Sequence, residues 1–473
     1  REAAAHLLRR AGFGGSSAEI DALHRLGLAG AVDRLVDFES IEDPDCPPFE
    51  PAVTQRPPRV ELAALDADLR RERIGEYRKA DRAQLLALRS WWLARMVRSR
   101  RPFEEKMTLF WHGHFTSGFR DVKNSYHMHL QNETLRRLGT VDFGELLRAV
   151  SRDPAMLEYL DNNTNRKAHP NENFARELLE LFTLGVGHYS ETDVLEAARA
   201  FTGWTFRGDR FVIDARNHDG GSKTFLGRTG PFGGDDVLSI VLEEPRTAEH
   251  VATKILRFFA HDAPSPEIVA ALADVFRRGN YAVKPMMKAL FLSREFYSER
   301  SVGTRVKSPI ELVVGLFRAL EMPPLSGPGP ALAVASLGQD LFEPPNVKGW
   351  EGGMAWTSGG TLLARYNVAL AIPGDAEDRA ALLAGGRRKA GAARAGRDLF
   401  DAAAFARAHD LATAGDAARF LTGLLLASPA PPERSAALVA ELGADFSLEA
   451  PDAGARLRRA IQLLVSTPEF QLS

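Results

Sequence analysis

HPNENFARELLELFTLGVGHYSETDVLEAARAFTGW, residues 169–204, holds two helices with legible ends and a high density of charge. Pro170 suits the first helical position, because its missing N–H would be unpaired there in any case. His169 is then the cap, and Glu172, three residues on, can reach back to it and meet the positive helix end. At about 100° per residue, Glu172, Asn173, Arg176, Glu177 and Glu180 share one arc. Phe174, Leu178, Leu179, Leu181 and Phe182 take the other. Gly185 and Gly187 supply the permissive backbone that a helix end favours. The second helix opens as cleanly: Ser190 and Asp193 make a capping box, with Tyr189 and Val194 placed as its hydrophobic staple. Ala197 and Ala198 permit close packing, and Gly203 ends it.

Two accounts of the charged arc stand side by side. Glu172–Arg176 and Arg176–Glu180 are i,i+4 pairs, worth about 0.3–0.5 kcal/mol each on a wet face. A solvated surface explains them fully. The neighbourhood supports a polar centre instead, for seven of the 12 histidines (His112, His114, His127, His129, His169, His188 and His218) lie between 112 and 218. Clustered imidazoles mark candidate metal or acid–base chemistry, and packing is the competing explanation.

Moving upstream, Pro102 starts a helix with Phe103, Met107, Phe110 and Trp111 that runs into HGHF at 112–115. From 119 to 160 the pattern stays helical, and Asp153 caps a helix with Pro154 at its first position. Downstream, TFRGDRFVIDAR within 205–235 is the only part with strand character and reads as one hairpin, followed by the glycine-bearing loop HDGGSKTFLG. Residues 1–40 read as two helices, and 43–60 are too proline-rich for helix or central strand. A long helix covers about 61–100. Helices return at 247–261, 265–279 and 284–297, then over KSPIELVVGLFRALEM. A loop-rich piece spans 322–360. The C-terminal part is alanine-rich and helical, with AGGRRKAGAARAGR at 384–397 expected as an exposed helix or an insertion. The spacing of 247–296 echoes that of 416–470, down to a closing Ser…Glu-Phe. A duplicated helical unit and a chance likeness between alanine-rich helices both account for it.

The fold class is therefore all-α: a multi-helical body with one small hairpin and long Pro/Gly-rich loops. Its regions are 1–100, 101–235 (with the candidate site and hairpin), 236–321 and 322–473, or one continuous body. At 473 residues with 45% hydrophobic and 26% charged content the composition is that of a globular protein. A net charge of −2 leaves no nucleic-acid footprint. No run reaches the roughly 18 apolar residues of a membrane span. Cys46 is the only cysteine, which excludes an intrachain disulfide and a zinc–thiolate site. A single thiol fits an exported protein. A chain opening at Arg1 without methionine is compatible with a removed leader, so a periplasmic or extracellular location is expected.

Six ordered blocks then carry a resemblance: EKMTLFWHGHF (105–115), DPAMLEYLDN (153–162), NENFARELLELFTLG (171–185), DVLEAARAFTGW (193–204), HDGGSKTFLG (218–227) and PPNVKGWEGG (344–353). Together they resemble the domain-of-unknown-function family numbered 1800, from the HLLRRAGFG opening to the terminal STPEF. The resemblance implies a mostly helical, bacterial, often exported protein, commonly encoded beside a sulfatase-like partner. It implies no particular activity.

Five candidate sites follow. His112 and His114, two apart, point about 200° from each other within a helix; with Gly113 as a helix stop they converge, for metal ligation or acid–base work. Otherwise they fix a helix end by hydrogen bonds. Asp161, Asn163, Asn165 and Glu172 take the 1, 3, 5 and 12 positions of a calcium loop, but Arg166 stands where the turn wants glycine, and an Asn-rich turn competes. Glu172, Arg176, Glu177 and Glu180 can meet Glu196 and Arg199 of the next helix as a buried network, structural or catalytic. His218-Asp219 with Lys223 sits on a glycine-bearing loop. Trp204, Trp350 and Trp356 offer an aromatic sugar platform or ordinary packing. No GxSxG elbow, HExxH helix, Walker loop or dinucleotide fingerprint is present.

The leading expectation is an exported enzyme, with hydrolysis the first reaction class. Its catalytic set is His112, His114, Glu172, Arg176, Glu177 and His218, and a divalent metal ion would sit on His112, His114, Asp161 and Glu172. The rival is a non-catalytic binding or assembly protein for a sulfatase-like partner or a surface polysaccharide, in which the charges are structural and the Trp loops bear the contacts.

Overall fold

Short-range caps set many of the helix starts. The computed structural model describes residues 1–324, 327–375 and 400–473; the stretch 384–397 lies outside them. Ser16 and Glu19 close a capping box on Ser17–Arg25. Asp66, Asn124, Asp142 and Asp153 each accept backbone N–H groups at the head of Ala67–Arg98, Ser125–Leu138, Phe143–Ser151 and Pro154–Tyr159. Such a cap is worth about 1 kcal/mol. The protein is mostly helical, as its patterning predicts, and no described helix is long and apolar enough to cross a membrane.

Several boundaries differ from the sequence reading. Residues 1–40 hold three helices rather than two, Glu2–Ala11, Ser17–Arg25 and Gly27–Val36; Gly27, at φ +70°, takes the left-handed turn between the last two. The helix expected at 61–100 is broken at Leu65–Asp66 into Arg59–Ala64 and Ala67–Arg98. Two hairpins form, not one. Trp204–Arg207 pairs with Arg210–Ile213, and the glycine-bearing loop folds further into Lys223–Phe225 against Arg228–Gly230.

The central helix departs most. His169 is no cap: the chain doubles back between Arg166 and His169, and regular helix begins only at Asn173. The Asn165 side chain causes this, since its Oδ1 accepts the Asn171 amide at 2.9 Å and holds the approach extended. After Asn173–Glu177 the helix widens into a π-turn, Leu178–Thr183. One extra residue per turn rotates everything downstream and leaves carbonyls without the usual helical partners.

Both segments of the internal echo fold as three helices followed by a 3₁₀ turn. Pro245–Phe259, Pro266–Arg278 and Val283–Phe291 lead into the 3₁₀ turn Glu295–Tyr297. Ala414–Leu425, Pro432–Leu442 and Ala453–Val465 lead into Glu469–Gln471 in the same order. Ser293 Oγ accepts the Phe296 amide at 3.2 Å, and Thr467 Oγ1 that of Phe470 at 3.4 Å. The two buried phenylalanines then present their carbonyls inward, Phe296 to His6 (2.8 Å) and Phe470 to Lys307 (2.6 Å). The segments 1–100, 101–235, 236–321 and 322–473 all feed one connected apolar core running from Ala4 to Phe470.

Candidate functional site

The HGHF block continues the helix Pro102–His114 to its end, so Gly113 does not stop it between the two histidines. They leave on different sides, as two-residue spacing in a helix requires. His112 lies in a box of Trp92, Phe342 and Trp350, and its Nε2 accepts the Phe342 amide at 3.1 Å. Burial pushes its pKa down to about 3, so the ring is neutral. That bond is one stitch in a longer seam between 340–350 and 112–119. Phe342 O accepts the Phe119 amide at 2.8 Å, and Thr116 Oγ1 donates to Val347 O at 2.6 Å. Gly349, at φ +81°, passes so close to Gly113 O that a Cβ there would lie 2.5 Å away. The PPNVKGW block is thus a strap laid across HGHF.

His114 turns instead to the π-turn. Its Nε2–H donates to Phe182 O at 3.1 Å, and its Nδ1 accepts from Lys254 Nζ at 3.2 Å. Lys254 also donates to Leu181 O at 2.9 Å, and His250 to the same oxygen at 3.0 Å. Three basic side chains therefore satisfy the two carbonyls that the π geometry frees. Burial holds His114 well below its ordinary pKa and lowers Lys254 to about 8.

On the charged arc, Arg176 bridges Glu172 (2.9 Å) and Glu191 (2.9 and 2.7 Å) near the surface. Glu191 is the partner that sequence reasoning missed; Glu196 and Arg199, expected there, turn elsewhere. Glu180 accepts from the Tyr189 hydroxyl at 3.2 Å. Glu177 is different: half-buried, it has no hydrogen-bond or ion-pair partner among the described residues, and burial, reinforced by Glu180, raises its carboxyl. Around it stand Lys348 of the strap and Tyr159, whose hydroxyl is pushed up to about 12 by burial and then by Asp121, with Glu177 and Glu343 adding to it. Three of the quoted blocks, DPAMLEYLDN, NENFARELLEL and PPNVKGW, meet on this face.

The second helix, Glu191–Ala200, holds the HDGG loop. Arg199 pairs with Asp219 (2.8 Å) and Glu196 (2.9 Å), Glu196 accepts the Thr224 amide (3.1 Å), and Asp193 that of Leu226 (2.8 Å). Lys223 is buried with its ammonium on the carbonyls of Asp219 (2.6 Å) and Gly221 (2.9 Å). His218 Nδ1–H donates to Thr202 O at 2.8 Å. These ties make the loop a buttress of the helix, so His218 and the expected inter-helix network stand apart from Glu177.

The calcium-loop reading is replaced by a structural one. Asp161 sits exposed at φ +57°. Asn165 Nδ2 donates to Asn162 Oδ1 (3.1 Å) and Ala198 O (2.9 Å), while Asn162 reaches Phe201 O and Trp204 O. The asparagines stitch the turn to the end of the following helix. The aromatic platform is likewise corrected, because Trp204 and Trp356 are buried and only Trp350 is partly accessible. A shared metal on His112, His114, Asp161 and Glu172 does not fit: both imidazoles have their acceptor lone pair engaged, and Glu172 faces Arg176. Among the described residues no group of three His, Cys, Asp or Glu side chains is placed to hold one.

Fold and site together define a mostly helical protein whose histidines brace the structure around a partly open polar face. The profile of the family described as Protein of unknown function (DUF1800) matches residues 6–472, and the chain belongs to that family. No curated protein and no solved structure matches it.

Proposed function

We propose that this protein is an exported, non-catalytic binding and assembly scaffold that engages a sulfatase-like partner through the face around Glu177, Tyr159, Asp121, Glu343 and Lys348. One observation carries the proposal. Glu177 alone of the expected catalytic residues has no partner of its own, while the others are committed to backbone, arginine or lysine. A half-buried carboxylate left open costs free energy that a contact from outside can recover. A polysaccharide is less well served, since two of the three tryptophans are buried. The sulfatase-like partner is named by the resemblance of the sequence blocks. The test is a titration of the purified chain with a purified sulfatase-like protein from the same source. Glu177→Lys should weaken binding at least tenfold while its thermal midpoint matches that of the parent. Equal binding by both removes the proposal.

Hydrolysis on the same face is the second reading, favoured by the raised carboxyl of Glu177 beside Glu180. A carboxyl raised by burial is the kind of group that serves as a general acid. Chromogenic sulfate, phosphate and glycoside esters test it: turnover that disappears in Glu177→Gln supports catalysis, and no turnover by the parent chain on any of them rejects it.

A further inference from the structure

The stretch 54–58, the start of the helix Ser125–Leu138 and the tip of the first hairpin enclose a cleft of about 540 Å³, of the size that takes a small ligand. Side chains fix all three walls. Gln84 pins Val53: its Oε1 accepts the Val53 amide at 2.6 Å, and its Nε2 donates to Val53 O (2.8 Å) and Ser125 Oγ (2.9 Å). Arg56 donates to Val122 O and to both carboxylate oxygens of Glu158 (2.9 and 3.3 Å). His127 Nε2–H donates to Gly208 O at 3.1 Å and holds the hairpin tip against the helix. None of the lining residues belongs to the face around Glu177.

Three polar groups on these walls are left over. Asn124 is only 4% exposed, and its Oδ1 accepts the Tyr126 and His127 amides at 3.1 and 3.2 Å. Those two bonds fix which end of the side-chain amide is oxygen, and Nδ2 donates to nothing among the described residues. It is not sealed off as the Nδ1 of His127 is, and the cleft is what Asn124 lines. The Asp209 carboxylate, exposed at the hairpin tip, and the hydroxyl of the half-buried Tyr126 have no hydrogen-bond partner either among the described residues. Phe206, Pro57, Pro58 and the Tyr126 ring supply apolar surface beside them.

This mix of groups selects the ligand chemistry. Asp209 only accepts and disfavours an anion, since the one cation among the lining residues, Arg56, is spent on Glu158. A cationic ligand would suit Asp209 but leave the Asn124 N–H unmet. A wholly apolar one would cover both without pairing either, at a cost in free energy. Sugar hydroxyls donate as well as accept, and a pyranose ring also offers C–H faces to aromatic and proline surface. We propose that this cleft binds a short stretch of uncharged saccharide, whose hydroxyls donate to Asp209 and accept from Asn124 Nδ2 and the Tyr126 hydroxyl. Its ring lies against Phe206 and the two prolines, and the tryptophans take no part.

The test is affinity electrophoresis of the whole chain in native gels cast with laminarin, xylan, galactomannan or dextran, with sulfated carrageenan as the comparison. Retardation by at least one of the neutral polymers is expected, and its dependence on polymer concentration gives a dissociation constant. Asn124→Asp keeps a capping oxygen but loses the donor, Tyr126→Phe loses only the hydroxyl, and Asp209→Ala removes the acceptor at the tip. Each should raise that constant about tenfold, the effect of one lost hydrogen bond, at an unchanged thermal midpoint. No retardation by any neutral polymer overturns the proposal. Retardation equal in the parent and all three variants, or confined to carrageenan, also overturns it. Should Asn124→Asp lower the thermal midpoint, Tyr126→Phe and Asp209→Ala decide.

Discussion

At the scale of single residues, His112 shows how a catalytic-looking side chain becomes a structural one. Its Nε2 is the acceptor for the Phe342 amide, 230 positions away. His112→Ala should therefore destabilise the fold by about 1–3 kcal/mol for the stranded N–H, with a further loss for the vacated volume, read as a lower urea midpoint at pH 7.5. Acid should act through the same group of buried rings. Burial lowers His6 and His112 to about 3 and His127 and His250 to about 4, whereas the unfolded chain protonates near 6.5. Between those values the unfolded state binds more protons, so stability is complete above pH 6.5 and falls as the pH drops toward 4. The loss should be on the order of 2 kcal/mol per histidine at pH 5. Thermal midpoints from pH 7.5 to 5 check it, and a flat profile contradicts it. Residues whose partners are near in sequence were legible beforehand: Ser190 with Asp193, and Asp153 with Pro154, behave as read. Partners hundreds of residues away leave no mark beside the histidine itself, which is why HGHF looked like a metal motif.

At the scale of helices and turns, periodicity located the helices but not the π-turn at Leu178–Thr183. A 100° wheel assumes uniform winding, and no local residue in LLELFT announces the change. Its stabilisers, His250 and Lys254, come from Pro245–Phe259. Lys254→Met keeps the apolar stem but removes the ammonium from Leu181 O and leaves His114 Nδ1 without its donor. A loss of about 1–3 kcal/mol is expected, together with faster amide exchange across 178–185 than in the parent. Unchanged exchange there would show that the π-turn stands without the lysine. The second hairpin was missed for a related reason: KTF and RTG are too short to show alternation, and Asp193 and Glu196 hold them through backbone amides.

At the scale of the molecule, the two three-helix segments were visible in sequence through their shared spacing and Ser…Glu-Phe ending; their docking was not. Phe296 and Phe470 occupy equivalent places and belong to the same connected core. Phe296→Ala and Phe470→Ala should each cost about 3–5 kcal/mol and shift one calorimetric transition as a whole. Two resolved transitions in either variant would mean that the units unfold separately. The seam between first helix and last unit also has a consequence in time. Arg9 donates to Gly423 O and Leu424 O, 414 and 415 residues along. At about 5–20 residues per second, a ribosome needs roughly 20–80 s to deliver those carbonyls after it has made Arg9. Throughout that interval only the part of Glu2–Ala11 that faces the last unit lacks its native cover, since Ser17–Arg25 and Gly27–Val36 pack on the same helix early, and that part is what holding chaperones would shield on the nascent chain and proteases would find on any prematurely stopped product.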